Sequence, residues 1–393
     1  MGSRPEPIVH DGDLNGPERS PLVGATAAAM EEHRRRAELA GPLELLPAVD
    51  FCCVYGSSLL RNNSDKTSMV DYILGVADPI QWHSEASASF LDGLLSESAM
   101  NLTYMIVIGT NHRIWKGTGT TTRNGWGGSA RRRALGFCYL FAQINWVAYG
   151  IGVGVHFNPF VEWKDKMIKY GVVQMHDLAM DVLTWDRFYL SGRLQKPVQV
   201  LIDNWDIQKV NLINLKAATS ASLLLLPAKF SEEDLYAKIC SLSYMGDLRM
   251  LFAEDKNKVK NIVRGSFTSF QSMYKPSLQE FAAEGLLQIP SAGHEFEQDC
   301  GLSATRNHFF SLPWTIQRRL GMKHEIDGSG ITKPQTIITS RELAANRVTR
   351  SLRRLVMISS ARQAMSGLAA TGGVAAARYL ARKISKAWKS RTS

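Results

Sequence analysis

The sequence predicts an α+β protein. Apolar runs rich in β-forming residues gather in its first half, helical periodicity takes over from residue 211, and a strongly basic helical segment closes the chain. With 393 residues and 45% hydrophobic content the chain can bury a substantial core and holds two domains plus tails.

Residues 1–22 are polar and rich in Pro and Gly, and the first 40 residues are expected to be disordered. They contain no secretory signal core, and Glu6, Asp11, Asp13, Glu18, Glu31 and Glu32 are unusual for an Arg-rich presequence. The first strand follows at 49–55 and breaks at Gly56. A second apolar run, 69–74, carries one carboxylate, Asp71. Two neighbouring strands of this kind can build a phosphate-and-metal site. Gly56 lets the backbone approach a ligand, Ser57 and Ser58 offer hydroxyl and amide donors, and Asp71 is a hard oxygen ligand suited to Mg2+. A tight turn beside a strand-end Asp explains the same residues equally well.

Residues 134–161 contain no Lys, Arg, Asp or Glu, a run long enough for a membrane span. Alternation over 151–160, ending at Asn158 and Pro159, reads instead as a buried strand that turns. A further strand is expected at 168–173 and a helix at 175–190, stopped by Gly192. The turn 192–197 then presents Arg193 and Lys196 three residues apart. That pair could clamp a polyphosphate, or simply complement the end of the helix.

From residue 211 the pattern is that of a small all-α domain. One helix runs over 211–226 and closes at Pro227; another, over 235–242, is opened by Ser231 as N-cap with acids in its first turn. The charges that follow, among them Asp247, Arg249 and Lys258, read either as a solvated helix face or as contacts from the second domain to the ligand site.

The formal charge of +10 is concentrated at one end. Residues 341–393 hold twelve Lys/Arg and one acid, a net of +11, leaving the rest of the chain at about −1. A nucleic-acid groove across the body is therefore not expected. Residues 348–389 read as helical, and the basic stretch with Leu380, Ile384 and Trp388 has the composition of a helix lying on an anionic bilayer; the alternatives are a solvated basic helix and a helix packed on the body. The five cysteines form neither a disulfide pattern nor a zinc pattern, which fits a reducing compartment.

Residues 55–58, 69–71, 78–84, 169–171, 192–197 and 243–250 together resemble the mitochondrial translocator assembly and maintenance protein family, whose members are mitochondrial CDP-diacylglycerol synthases. The resemblance covers 43–85 and 150–280, with a similar basic tail. It implies a nucleotidyltransferase-fold domain, a mixed sheet with flanking helices, over 41–205. A helical domain at 206–290, a linker region at 291–340 and a basic amphipathic membrane-binding tail at 341–393 follow. The implied reaction joins CTP and phosphatidic acid into CDP-diacylglycerol and pyrophosphate with Mg2+, for phosphatidylglycerol and cardiolipin synthesis. The implied location is peripheral, on the matrix side of the mitochondrial inner membrane, with residues 341–393 on its anionic lipids and no nucleic acid as partner.

On that resemblance Tyr55, Gly56, Ser57 and Ser58 hold phosphate oxygens. Lys66, Arg193 and Lys196 balance the triphosphate, and Asp71 carries the metal. Related enzymes usually place a second carboxylate two residues after the first, where this chain has Ile73, so Asp78 is the substitute catalytic candidate, with Glu162 and Asp177 as candidates for a third. Residues 86–149 do not resemble the family, which suggests a variant or mispredicted exon. Two other readings follow: a catalytically impaired membrane-associated assembly factor, and a nucleotidyltransferase acting on RNA.

Overall fold

The structure, a computed structural model, describes residues 21–62, 69–92, 146–164, 166–247, 250, 257–289, 295–319, 323–326, 332–335 and 338–371. Lys66, Arg249 and residues 372–393 lie outside them, as do all but the ends of 86–149. The chain divides into two compact units, Met1–Leu45 and Leu46–Ser393.

In the first unit, Pro21–Ala40 form helix α1, with a 3-10 turn at Gly41–Leu45, where disorder was expected up to residue 40. Within α1 the Arg34 guanidinium donates to both Glu31 carboxylate oxygens at 2.9 and 3.1 Å, a spacing of three residues that supports helix.

The second unit is built on a five-stranded sheet. Its strands are β1 Phe51–Tyr55, β2 Val70–Val76, β3 Val155–Trp163, β4 Lys166–Gln174 and β5 Gln199–Asp203, in the order β3-β4-β2-β1-β5. Only β2 and β4 run parallel, so the sheet is mixed, as expected. Helix α2, Pro79–Asp92, follows β2; α3, Met175–Thr184, and the short α4, Ser191–Leu194, follow β4. Because side chains alternate across a strand, Phe51, Cys53, Tyr55 and Ile73 share one face. They pack there with Met175, Leu178 and Val182 of α3 and Leu194 of α4. On the other face Trp82 and His83 of α2 meet Tyr170 and His156 at ring-centroid distances of 6.1 and 5.2 Å.

One expectation for this half holds, a strand in the uncharged run, and one changes. The uncharged run ends as a strand, β3, and among the described residues no helix is long and apolar enough to cross a membrane. The helix expected over 175–190 stops at Thr184, with Trp185 in a left-handed conformation at φ 56°; Gly192 lies inside α4 and is not the stop. The cause is Asp181, which draws the next backbone amides onto its carboxylate.

Helix α5, Ile207–Leu225, begins four residues before the periodicity indicated. After β6, Lys229–Phe230, comes α6, Glu232–Leu242. Its N-terminus is a capping box: Ser231 Oγ accepts from the Asp234 amide at 3.1 Å, and the Asp234 carboxylate accepts from the Ser231 amide at 3.1 Å. Helices α7, Lys258–Gly265, and α8, Phe267–Ala283, complete this layer. Strand β8, Phe296–Gln298, pairs with both β6 and β7, Leu287–Gln288, in a three-stranded sheet, so the region is not purely α.

The stretch 291–340, read as a linker, carries β8, α9 Leu302–Phe310, α10 Trp314–Arg319 and the hairpin of β9 Lys323–Ile326 with β10 Thr332–Gln335. Phe309 and Ile316 are fully buried with Leu223, Ile239 and Phe270. The last described element is α11, Arg341–Thr371. Ala344, Val348, Leu352 and Leu355 recur at helical spacing and all lie in that same core, so this part of the basic tail packs on the body. Its outer side exposes Arg350, Arg353 and Arg354, then Met357, Ile358, Met365 and Leu368.

Candidate active site

The site grows from the junction of β1 and β2. Their antiparallel register sets Tyr55 opposite Asp71. Gly56 then turns the chain with φ 99° and ψ −168°, a conformation essentially reserved for glycine, into the 3-10 turn Ser57–Leu59. A Cβ at position 56 would stand 2.9 Å from Asp71 Oδ2, so the turn presses its backbone against the carboxylate. Beyond the turn, the Arg61 amide donates to Gly265 O at 3.1 Å and Asn62 Nδ2 to Asn261 O at 3.1 Å, tying the segment to α7.

Asp71 is a quarter exposed. Its neighbour on the parallel strand β4 is Lys169, whose Nζ lies 3.9 Å from Asp71 Oδ1 and 4.5 Å from the Phe157 ring centroid. Lys169 was not among the site residues named from the sequence. The pairing of two strands about a hundred residues apart brings it there, and only the basic residue of the 169–171 motif could have flagged it.

Arg193 covers the other flank. Its guanidinium carbon stands 3.9 Å from the Tyr55 ring centroid and 5.6 Å from that of Tyr189. Burial acts to lower its pKa, but the facing hydroxyls of Tyr55, Tyr189 and Tyr244 and the Asp71 charge outweigh it, and the pKa rises. Burial likewise pushes Tyr55 well up against the pull of Arg193, so the pair is a phenol under a fixed cation. Lys196 donates to the Gly192 carbonyl and to Ser243 Oγ at 2.6 Å, and its Nζ lies 5.1 Å from the Tyr244 ring centroid. Lys258 sits at the same distance from that ring, and Asp247 lines the cleft beside Tyr244.

The turn bearing Arg193 and Lys196 is held from inside. Asp181, 4% exposed, accepts from the backbone amides of Arg187, Phe188, Tyr189, Leu190 and Ser191 at 2.7–3.2 Å. Asn214 of α5 accepts from Trp185 Nε1 and Gln195 Nε2 and donates to the Ser191 carbonyl. Tyr274 OH donates to Gln195 O at 2.8 Å, and Ser359 of α11 donates to the Arg187 carbonyl. Asp181 and Asn214 look like ordinary helix residues in the sequence, which is why they passed unnoticed.

Three expected carboxylates part company. Asp78 lies two residues beyond the far end of β2, about 20 Å along the strand direction from Asp71. There it caps α2, accepting from the amides of Ile80 at 2.7 Å and Gln81 at 3.2 Å, so it does not stand in for a second carboxylate beside Asp71. Asp177 is at that same far end, 3.8 Å from Arg187 Nη1. Glu162 does share the Asp71 face, exposed on edge strand β3 opposite Met167, with β4 between it and β2. Ile73 is buried in the core.

Among the described residues no group of three His, Cys, Asp or Glu could hold a metal ion. Asp71 still fits Mg2+, which is usually held by one or two carboxylates plus substrate phosphates, and the missing Cβ of Gly56 lets the turn lie directly beside Asp71 Oδ2. A mixed α/β scaffold that brings a glycine–serine turn, one carboxylate, two lysines and an arginine together defines a phosphate-handling site of the kind a nucleotidyl-transfer enzyme needs.

The chain belongs to the family described as phosphatidate cytidylyltransferase, mitochondrial, whose profile matches residues 39–92 and 136–386. Relatives carrying that name include those of Danio rerio, 29% identical over 85% of this chain and 89% of the relative. Others are those of Bos taurus, 30% identical over the same shares, and of Schizosaccharomyces pombe, 27% identical over 86% of this chain and 80% of the relative. The match skips residues 93–135, a narrower gap than the 86–149 that do not resemble the family.

Proposed function

We propose that this chain is a phosphatidate cytidylyltransferase, making CDP-diacylglycerol and pyrophosphate from CTP and phosphatidic acid in the mitochondrion. Family membership over most of the chain carries this reading, and the Gly56–Asp71 contact with Arg193 beside it supports it. A phosphatidate oxygen attacks the α-phosphorus of CTP. A P–O bond forms there, the bond to the β-phosphate oxygen breaks, and pyrophosphate leaves with the electron pair.

A phosphomonoester is largely dianionic at neutral pH, so the attack needs no general base, and the protein's task is to place charge. The position two residues after Asp71 is Ile73, buried in the core, which is consistent with that. The Gly56–Ser58 turn and Arg193 would hold triphosphate oxygens, while Lys169 faces the Asp71 carboxylate from β4. Mg2+, held by Asp71, would neutralise the phosphates and orient them for in-line attack.

The proposed place of action is the matrix side of the inner membrane, bound peripherally through the basic face of residues 341–393. The near-neutral body disfavours an RNA substrate, and an impaired assembly factor would have no use for the glycine–carboxylate contact. The test is incubation of the purified chain with labelled CTP, Mg2+ and phosphatidic acid vesicles, with Asp71→Asn as control. Labelled CDP-diacylglycerol from the wild type alone is the expected result; none from folded wild-type protein would defeat the reading.

A further inference from the structure

We infer that the cleft between α4 and α11 takes the phosphomonoester head group of the acceptor lipid, with Arg193 standing between it and the phosphates of the nucleotide. The inference rests on the cytidylyl-transfer reading above. Arg193, Lys196, Ser243, Tyr244, Ser359 and Ser360 line the cleft, and Phe188 and Val356 give it an apolar side. None of Tyr55, Gly56, Ser57, Ser58 or Asp71 lines it, so it is a second place, joined to the turn over Asp71 through the Arg193 guanidinium.

Its charge suits a phosphomonoester. Among the described residues Arg193, Lys196 and, at the Tyr244 ring, Lys258 bring three positive charges against the carboxylate of Asp247, a net of +2. A phosphomonoester at neutral pH carries about −1.5 to −2. Arg193 Nε is buried with no hydrogen-bond partner, a donor that a phosphate oxygen would satisfy. Ser243 holds the Lys196 ammonium at 2.6 Å, so that charge is already oriented.

The apolar side separates an acceptor lipid from the triphosphate. Nucleotide phosphates gain nothing from Phe188 and Val356, whereas acyl chains leaving a head group do. The turn of α11 that supplies Val356, Ser359 and Ser360 also carries Met357 and Ile358, 43% and 39% exposed, on its outer side. The same helix thus walls the head-group cleft and presents apolar side chains just outside it. Lys196, assigned with Arg193 to the triphosphate from the sequence, goes to the acceptor instead.

Steady-state kinetics of the full chain with CTP, Mg2+ and dispersed dioctanoyl phosphatidate test this. Lys196→Gln is expected to raise KM for the lipid about tenfold or more, the loss of one charge-assisted contact, while the Kd for CTP changes less than about twofold. A CTP Kd that weakens in step, or a lipid KM that does not move, overturns the assignment. Should Lys196→Gln fail to fold by thermal melt, Ser360→Val on the opposite wall is read by the same two criteria. Inorganic phosphate should compete far more weakly than the lipid, and equal competition would overturn the role of the apolar side. If the wild type makes no CDP-diacylglycerol, the reading of the reaction falls; equilibrium binding of dioctanoyl phosphatidate still decides the cleft, supporting it if Lys196→Gln binds more weakly and overturning it if binding is equal.

Discussion

Gly56 and Asp71 are fitted to one another so closely that a single methyl group at position 56 would lie 2.9 Å from the carboxylate. The backbone there has φ 99°, so Gly56→Ala would strain the turn, at about 1–3 kcal/mol, and push Asp71 aside. We expect turnover to fall at least about a hundredfold with the fold retained. Circular dichroism melts beside the cytidylyl-transfer assay check it; full activity in a folded Gly56→Ala would rule out a role for the contact.

Asp71 and Lys169 can be separated by substitution. Asp71→Asn should abolish turnover without unfolding the chain, because the side chain is a quarter exposed. Lys169→Met should cost at most about 1 kcal/mol of stability, the ordinary worth of a partly exposed pair at 3.9 Å, yet lower kcat/KM for CTP about tenfold. Denaturant melts and initial rates read the two effects apart.

Asp181→Asn presents an amide group to backbone donors that need an acceptor. A loss of about 2 kcal/mol or more is expected, with weaker CTP binding as the loop before Arg193 loosens. Unchanged stability in urea would show that the five amides do not depend on this carboxylate.

Three buried histidines set an acid limit. Burial depresses His83 to about 3 and His156 and His308 to about 4, with Arg341 adding to the depression at His308. Each starts near 6.5 when unfolded, so the unfolded chain binds the protons first and stability must fall as pH drops from about 6.5 towards 4. Urea midpoints at pH 7.5 and 5 should differ clearly, and His308→Phe should reduce the difference.

Two truncations distinguish core from membrane contact. Ending the chain at residue 340 removes Val348 and Leu352, both fully buried, and should prevent folding, since loss of one such side chain alone costs about 2–5 kcal/mol. Ending it at residue 371 should leave turnover of dispersed short-chain lipid intact while weakening adsorption to anionic vesicles. Flotation with cardiolipin vesicles checks the second case.

The strands and the glycine turn were legible because each is a local pattern: a β-branched and aromatic run, a break at Gly56, a lone Asp71 in the next run. The Ser231 cap was legible for the same reason. Lys169 was not, because its partnership with Asp71 depends on a parallel pairing that no local pattern encodes. Asp181 was hidden by its place in an amphipathic helix, and its pull on the following amides ended that helix six residues early. The stripe Ala344, Val348, Leu352, Leu355 was visible as a helix face, but apolar spacing is the same whether the face meets a bilayer or a protein core.

The part of α11 that closes the core has a temporal meaning. Leu223 and Phe309 wait on Val348 and Leu352 for their packing partners, and the Arg187 carbonyl waits on Ser359. A chain delivered N-terminus first, whether by a ribosome or through a translocation pore, therefore cannot assemble both walls of the cleft between α4 and α11 until residues 356–360 have arrived. Closure of the core waits for α11, and fragments released before it would be clients for chaperones or proteases rather than slow enzymes.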